Sequence, residues 1–266
     1  MAVWKFVELL KKPVLMKPVM ICGLPGIGNV GKVAVDFMIE ELKAVKIYEI
    51  TSYTFPHSVF ISEDNIAELP TVAIYYKKHK SGKHPDLLFL AGDVQPVEES
   101  ASYEFSDKML DIAEEFQTEQ VITIGGIGLA EVPKSPKVYC TGNSRKAISR
   151  YKDDKVLTQI YGVVGPIIGV SGLMVGLAAR RKLDAVALLA ETYGHPMFLG
   201  INGAREILKV LNKKLNLDIN LDKIDKEIKE MEKEILKRTE EVGEVTKQTA
   251  LKKLKGKLGQ ETSYIG

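Results

Sequence analysis

The stretch MICGLPGIGNVGKVAVDFM, residues 20–38, decides the fold class of this 266-residue chain. A short apolar run leads into glycines and then into an amphipathic segment, which predicts a strand, a turn and a helix. Gly26, Gly28 and Gly31 have the G-x-G-x-x-G spacing of a dinucleotide-binding loop. Gly26, Gly31 and Lys32 also match a P-loop up to its last position, where Val33 cannot ligate Mg²⁺. Dinucleotide binding, phosphate binding and a purely structural turn all remain open on this motif.

The first 200 residues alternate β-rich runs with helical patterns, which predicts an α/β fold with a mostly parallel sheet. The predicted strands are Val19–Cys22, Val45–Ile50, Thr71–Lys77, Leu87–Ala91, Val121–Gly125, Val138–Cys140 and Ala185–Ala190. The predicted helices are Val30–Leu42, Ser102–Glu119, Ser144–Tyr151, Ser171–Arg181 and Ile201–Leu215. We expect the span from Ile21 to Ile50 to form one βαβ unit with a right-handed crossover.

The segment IYGVVGPIIGVSGLMVGLAA, residues 160–179, carries no charged side chain and resembles a membrane span in length. Its five glycines and Pro166 argue against one unbroken helix. We therefore expect a buried strand–turn–helix and no contact with a membrane.

The character of the chain changes after Asn216. Residues 222–241 contain 14 charged side chains, and apolar residues recur at steps of three and four. This pattern predicts a helix that packs against another helix or another subunit, through Ile224, Ile228, Met231 and Ile235. A solvated helix on its own domain is the alternative. The expected organisation is an α/β domain over 1–216, a charged helical extension over 217–250 and a flexible tail over 251–266.

Few residues suggest other chemistry. The net charge of +2 gives no electrostatic reason to expect nucleic-acid binding. The two cysteines, Cys22 and Cys140, form no disulfide framework, which fits a reducing cytoplasm. His57 and His195 lie far from the other histidines along the chain, and His79 and His84 have no companion Cys or carboxylate at a metal-ligand spacing. Ser171 misses the G-x-S-x-G motif, and Glu191 has no identifiable catalytic partner. We therefore predict no catalytic residues, no metal and no cofactor.

Five motifs together resemble the proteasome assembly chaperone family, and specifically its archaeal homologues. They are GLPGIGNVGKVAVDFMIEEL at 23–42, LLFLAGDVQP at 87–96, VITIGGIG at 121–128, GVSGLMVGLA at 169–178 and ALLAETYGHP at 187–196. The resemblance implies a three-layer α/β/α sandwich related in shape to nucleoside phosphorylases, in a binding protein without an established reaction. It also implies that Gly26, Gly28 and Gly31 shape a structural turn.

Members of this kind form small homo-oligomers, and some engage the proteasome core particle through a C-terminal hydrophobic–Tyr–any motif. The resemblance therefore implies partner binding through Tyr264, Ile265 and Gly266, although Tyr264 stands one position too early for that motif. We expect a cytoplasmic, non-enzymatic homo-oligomer, a tetramer or pentamer. Its expected partner is the α ring of the core particle or another assembly factor, with activation in doubt. The alternative is a nucleotide- or nucleoside-binding enzyme that uses the loop from Gly26 to Gly31.

Overall fold

The computed structural model describes residues 4–226 except 63, 80, 81, 83, 163, 196 and 197. Its strands are β1 (Trp4–Glu8), β2 (Val19–Gly23), β3 (Val45–Ser52), β4 (Phe60–Ile61), β5 (Ala67–Glu68), β6 (Val72–Lys77), β7 (Leu87–Gly92), β8 (Gln120–Leu129), β9 (Val138–Gly142), β10 (Val156–Leu157) and β11 (Asp184–Tyr193). Its helices are α1 (Val30–Glu41), α2 (Glu99–Glu115), α3 (Arg145–Tyr151), α4 (Val170–Arg180) and α5 (Ile201–Leu215).

Nine strands form one sheet in the order β1-β3-β6-β7-β2-β8-β11-β9-β10, and β4 and β5 form a separate hairpin. The central strands β7, β2, β8 and β11 are parallel to one another. The pairs formed by β1, β3 and β6, and the pair β9–β11, are antiparallel. The sheet is thus mixed, with the predicted parallel strands at its centre.

Helices cover both faces of the sheet, so the predicted α/β class and layering are confirmed. Helix α1 packs beside α5 on one face, and α2 packs beside α4 on the other. Strands β2 and β7 are buried along almost their whole length, which explains their uninterrupted apolar sequences. In α5 the buried residues include Ala204, Ile207, Leu208 and Leu211, a spacing that gives one apolar helix face.

The expected βαβ unit needs a correction. Strand β3 runs parallel to β2, but β6 and β7 lie between them in the sheet. Short-range sequence patterns carry no information about which later strands insert between two earlier ones. Strands β1, β4, β5 and β10 were not predicted. In β1, Trp4 anchors the strand by packing its ring 5.1 Å from that of Phe105 and 5.7 Å from that of Phe55.

The prediction for residues 160–179 was partly wrong. The segment contains no strand among its described residues, and it begins as an irregular loop in which Tyr161 and Ile168 are exposed. Only α4 is buried as expected, because its apolar face packs on β8 and β11. In the part of the chain that the structure describes, no helix is long and apolar enough to cross a membrane.

The chain divides into two units after Leu221, and only residues 222–226 of the second unit are described. The predicted boundary lay at 216, where Asn216 ends α5 in a left-handed conformation. The first unit continues past this point because Leu217 and Ile219 are buried, and the side chain of Asn212 bonds both backbone groups of Ile219. The extents of the extension and of the tail stay predictions.

Candidate functional site

The glycine loop follows β2 and leads into α1 through a short 3-10 turn, Ile27–Asn29. Gly28 has φ +60°, and a Cβ atom there would lie 2.6 Å from Oγ1 of Thr192. A Cβ atom on Gly31 would lie 2.5 Å from the carbonyl oxygen of Ile124. Gly26 has neither constraint, since its φ is −166° and a Cβ atom would meet no atom within 4 Å. Two of the three motif glycines are therefore required by the geometry of the turn.

The loop is packed directly onto the carboxyl ends of the neighbouring strands. A Cβ atom on Gly126 would lie 2.2 Å from the carbonyl oxygen of Ile27. The backbone N–H of Gly200 donates to the carbonyl of Gly28 at 2.7 Å. Backbone from β8 and from the start of α5 thus packs directly against the turn, which explains its need for glycine.

Lys32, at the position of a P-loop lysine, is engaged elsewhere. Its Nζ lies 2.9 Å from the carboxylate of Asp36 and 3.8 Å from that of Asp93, and it donates to the carbonyl of Gly92 at 3.2 Å. Burial raises the pKa of Asp36, and the ammonium group of Lys32 opposes that shift. Lys32 therefore ties α1 to the turn after β7, and the phosphate-binding reading is not favoured.

A cavity of about 400 Å³ lies beside the loop, between the carboxyl ends of β2 and β8 and the start of α4. Its lining is largely glycine and aliphatic side chain. The amide of Gln95 donates to the carbonyl of Pro25 at 2.6 Å and accepts from the N–H of Val170 at 3.2 Å. Gln95 thereby joins three segments, namely the glycine loop, the turn after β7 and the beginning of α4. Both hydrogen bonds are structural, because they connect segments of the fold to one another.

The other polar candidates also have structural contacts. Glu191 accepts hydrogen bonds from the hydroxyl of Tyr139 at 2.9 Å and from the N–H of Lys137 at 3.0 Å. The hydroxyl of Ser171 donates to the carbonyl of Ile124 at 3.5 Å. Among the described residues, no cluster of His, Cys, Asp and Glu could hold a metal ion. Burial raises the pKa of the Cys22 thiol, and it raises that of Cys140 to about 12.

The predicted contact residues are described only in part. Ile224 is buried, at 1% exposure, whereas Ile228, Met231 and Ile235 lie outside the described residues. Tyr264, Ile265 and Gly266 also lie outside them. The roles of these residues in packing and in partner binding therefore stay predictions.

Sequence reasoning missed an exposed apolar surface at the carboxyl end of the central strands. Ile27, Val97 and Ile168, in loops at this end, are 53%, 75% and 87% exposed. The β4–β5 hairpin lies between the end of β3 and the start of β6, and it adds further exposed apolar side chains. These are Val59, Phe60, Ile61, Ile66 and Leu69. The signal was the sequence VFISEDNIAEL, residues 59–69, in which two apolar runs flank a polar turn.

Comparison with known proteins places this geometry in a family. The structure is similar to that of Pyrococcus furiosus PbaB, an archaeal proteasome activator, with a TM-score of 0.80 and 33% identity over 89% of this chain and 98% of that one. It is also similar to Pyrococcus furiosus PbaA, an archaeal homolog of proteasome-assembly chaperone, with a TM-score of 0.71 and 25% identity over 98% and 99% of the two chains.

A sequence relative is an uncharacterized protein of Methanocaldococcus jannaschii, which is 28% identical over 84% of this chain and 83% of its own. The model of the PAC2 family matches residues 20–238. That match includes the glycine loop, the turn after β7 that contains Gln95, helix α4 and strand β11, which carries Glu191. This chain belongs to the PAC2 family.

Proposed function

We propose that this protein is a non-enzymatic, homo-oligomeric homologue of the proteasome assembly chaperones that acts in the cytoplasm. The observation that carries the proposal is the similarity to PbaB, which extends over 89% of this chain and 98% of that one at 33% identity. The likeness to PbaA, which covers nearly the whole of both chains, supports the same role.

The partner in this proposal is the proteasome core particle, or another factor that acts in its assembly. Contact with the α ring runs through the C-terminal residues Tyr264, Ile265 and Gly266. A three-residue anchor is weak alone, and several copies held in one oligomer raise its effective concentration. Packing of Ile224, Ile228, Met231 and Ile235 contributes to the oligomer, a tetramer or pentamer.

The geometry of the glycine loop supports a binding protein over a nucleotide-using enzyme. Lys32 is paired with Asp36, and Gly28 bonds Gly200 through its carbonyl. Among the described residues, no charged side chain lines the cavity beside the loop. A nucleotide phosphate at this loop would therefore meet no free lysine and no charged side chain to balance its negative charge.

Size-exclusion chromatography with light scattering tests this function, using the full chain with and without purified archaeal core particle. We expect a multimeric mass for the protein alone and co-elution with the core particle. Equilibrium binding of ATP, NAD and nucleosides, measured by calorimetry, should show no heat in the micromolar range. Micromolar nucleotide affinity without co-elution would replace the chaperone role by the enzyme alternative.

A further inference from the structure

The β4–β5 hairpin has the features of an arm that needs a partner. It forms its own two-stranded sheet, closed by a turn in which Asn65 has φ +62°. A lone two-stranded hairpin is marginally stable in water unless another surface packs on it. Its large apolar side chains are nevertheless all exposed, from 47% for Phe60 to 71% for Leu69. We call residues 58–69 the hairpin arm.

The hairpin arm is also acidic. Residues 53–70 contain Glu63, Asp64 and Glu68 and no lysine or arginine. Any surface that covers the apolar side chains of the arm must therefore also accept negative charge. A positively charged apolar cleft fits this requirement.

Such a cleft lies at the other edge of the sheet, and we call it the lysine cleft. Its volume is about 700 Å³. Its floor and walls include Val138, Val210, Leu221 and Leu157, of which Leu157 is 40% exposed. Strand β10, which carries Leu157, pairs only with β9 among the described strands and is the edge strand of the sheet, although the N–H of Val156 also donates to the carbonyl of Asp153 at 3.1 Å.

The charge of the lysine cleft is complementary to that of the hairpin arm. Five lysines and three acidic residues line it: Lys137, Lys155, Lys209, Lys213, Lys214, Asp153, Asp154 and Glu206. Asp153 pairs with Lys213 and Lys214, and Glu206 pairs with Lys209. Within the described residues, Lys137 and Lys155 have no such ion pair and are exposed. Two lysines, against the single exposed carboxylate of Asp154, are thus available to an acidic partner.

The two surfaces lie too far apart in the sheet to meet within one copy of the chain. The hairpin arm connects β3 to β6, whereas the cleft borders β10. Six strand spacings separate β6 from β10, which amounts to about 29 Å at ~4.8 Å each. The cleft extends from Val138, which pairs with Ala190 near the end of β11, to Lys213 and Lys214 in the last turn of α5.

We propose that the hairpin arm of one copy docks in the lysine cleft of the next copy. Because the two surfaces differ, the contact is heterologous. It closes into a ring when the rotation that relates one copy to the next divides a full turn evenly. Surfaces at opposite edges of the sheet suit a ring in which the copies stand side by side. In such a ring the C-terminal segments of all copies lie on the same side. This arrangement would let several C-termini bind one partner at the same time. The inference rests on the proposed function, because it names the interface of the proposed homo-oligomer.

Charge reversal tests the pairing of these two surfaces. The arm variant carries Asp64→Lys and Glu68→Lys, and the cleft variant carries Lys137→Glu and Lys155→Glu. A control variant carries Lys11→Glu and Lys17→Glu, which reverse two exposed lysines in another region rich in exposed apolar side chains. Mass by light scattering is measured over a hundredfold range of protein concentration, and circular dichroism checks that each variant is folded.

We expect the arm and cleft variants each to need at least tenfold more protein to assemble than the parent. The control should assemble like the parent. A mixture of the arm and cleft variants should regain a multimeric mass with an even number of copies, because the two variants must alternate around the ring. The arm with lysines then meets the cleft with glutamates, and the acidic arm meets the unchanged lysine cleft. The chain with all four reversals should assemble on its own.

Other results would overturn the proposed interface, and each of them also shows whether the proposed function still holds. If the control variant alone dissociates, the arm docks elsewhere. If all variants keep the parent mass, the oligomer uses another surface and the chaperone role stands. Loss of co-elution with the core particle in the arm variant, at unchanged mass, would assign the arm to that partner. A parent that is monomeric but still binds the core particle removes the homo-oligomer and this interface together.

Discussion

Gly28 and Thr192 are in such close contact that a single added carbon would collide with the threonine. A Cβ atom on Gly28 would lie 2.6 Å from Oγ1 and 2.8 Å from Cγ2 of Thr192. Thr192 is 1% exposed, and its hydroxyl has no hydrogen-bond partner among the described residues. The strand end that carries Thr192 and the turn that carries Gly28 thus constrain each other, which gives the glycine motif a structural cause.

Substitution of Gly28 should therefore reduce stability. Gly28→Ala places a side chain at φ +60° and against Thr192, and we expect the free energy of unfolding to fall by about 1–3 kcal/mol. Urea denaturation measures this change. Gly26→Ala is the matched control, since its φ is −166° and no atom lies within 4 Å of the new carbon. Equal stability losses for the two variants would contradict the assignment of the constraint to Gly28.

Gln95 should hold the carboxyl edge of the sheet together. Gln95→Ala removes the hydrogen bonds to Pro25 and Val170, and we expect a loss of about 1–3 kcal/mol in the free energy of unfolding. The exposed Gln159 supplies the control, because Gln159→Ala removes a side chain of the same kind from the surface. A parent-like denaturation midpoint for Gln95→Ala would show that neighbouring groups or water replace both bonds.

The two cysteines should resist thiol reagents while the protein is folded. Burial raises the pKa of both thiols, to about 12 for Cys140, so roughly 10⁻⁴ of Cys140 is thiolate at about pH 8. We expect native labelling at least about a hundredfold slower than labelling in urea. Rapid modification of either cysteine in the folded protein would mean that its side chain reaches solvent.

The same pKa shifts predict how stability depends on pH. A thiol whose pKa is higher in the folded state than in the unfolded state favours folding below the unfolded value, about 8.5. That contribution is lost as the pH rises from there toward the folded value. The denaturation midpoint should therefore fall above about pH 8.5, and Cys22→Ala with Cys140→Ala should reduce the slope of that fall.

The sequence predicted the elements with strong local patterns and not their order in the sheet. Strands β2 and β7 are uninterrupted apolar runs, so their existence followed from residues 19–23 and 87–92 alone. The separation of β3 from β2 depends on pairing with β6 and β7, which no local pattern encodes. Likewise, the spacing of the glycines could not show that Gly28 and Gly31 are constrained while Gly26 is not. The hairpin arm and the lysine cleft lie far apart in sequence, and the cleft residues themselves come from separate segments. Their complementary charges could therefore be recognised only once the fold was known.

The last prediction concerns the terminal residues Tyr264, Ile265 and Gly266, which lie outside the described residues. The motif of the resembling family places tyrosine next to the last residue, whereas here tyrosine is third from the end of the sequence. One residue moves a side chain by about 3.3–3.6 Å along an extended chain. A carboxylate and a tyrosine ring that must fill two fixed pockets therefore cannot both fit without a bulge in the backbone. We expect the chain that ends at Gly266 to stimulate peptide hydrolysis by the core particle only weakly.

A variant that ends at Ile265 restores tyrosine to the penultimate place, and it should bind the core particle more tightly than the parent. Ser263 then occupies the hydrophobic position, so Ser263→Leu in the shortened chain should strengthen binding further. Tyr264→Ala in the same shortened chain is the control, and it should abolish the gain because it removes the ring and keeps the carboxylate. Surface plasmon resonance with immobilised core particle measures affinity, and fluorogenic peptide hydrolysis measures activation. Stronger activation by the parent than by the shortened chain would show that the pockets accept tyrosine one position earlier, and that the register argument is wrong.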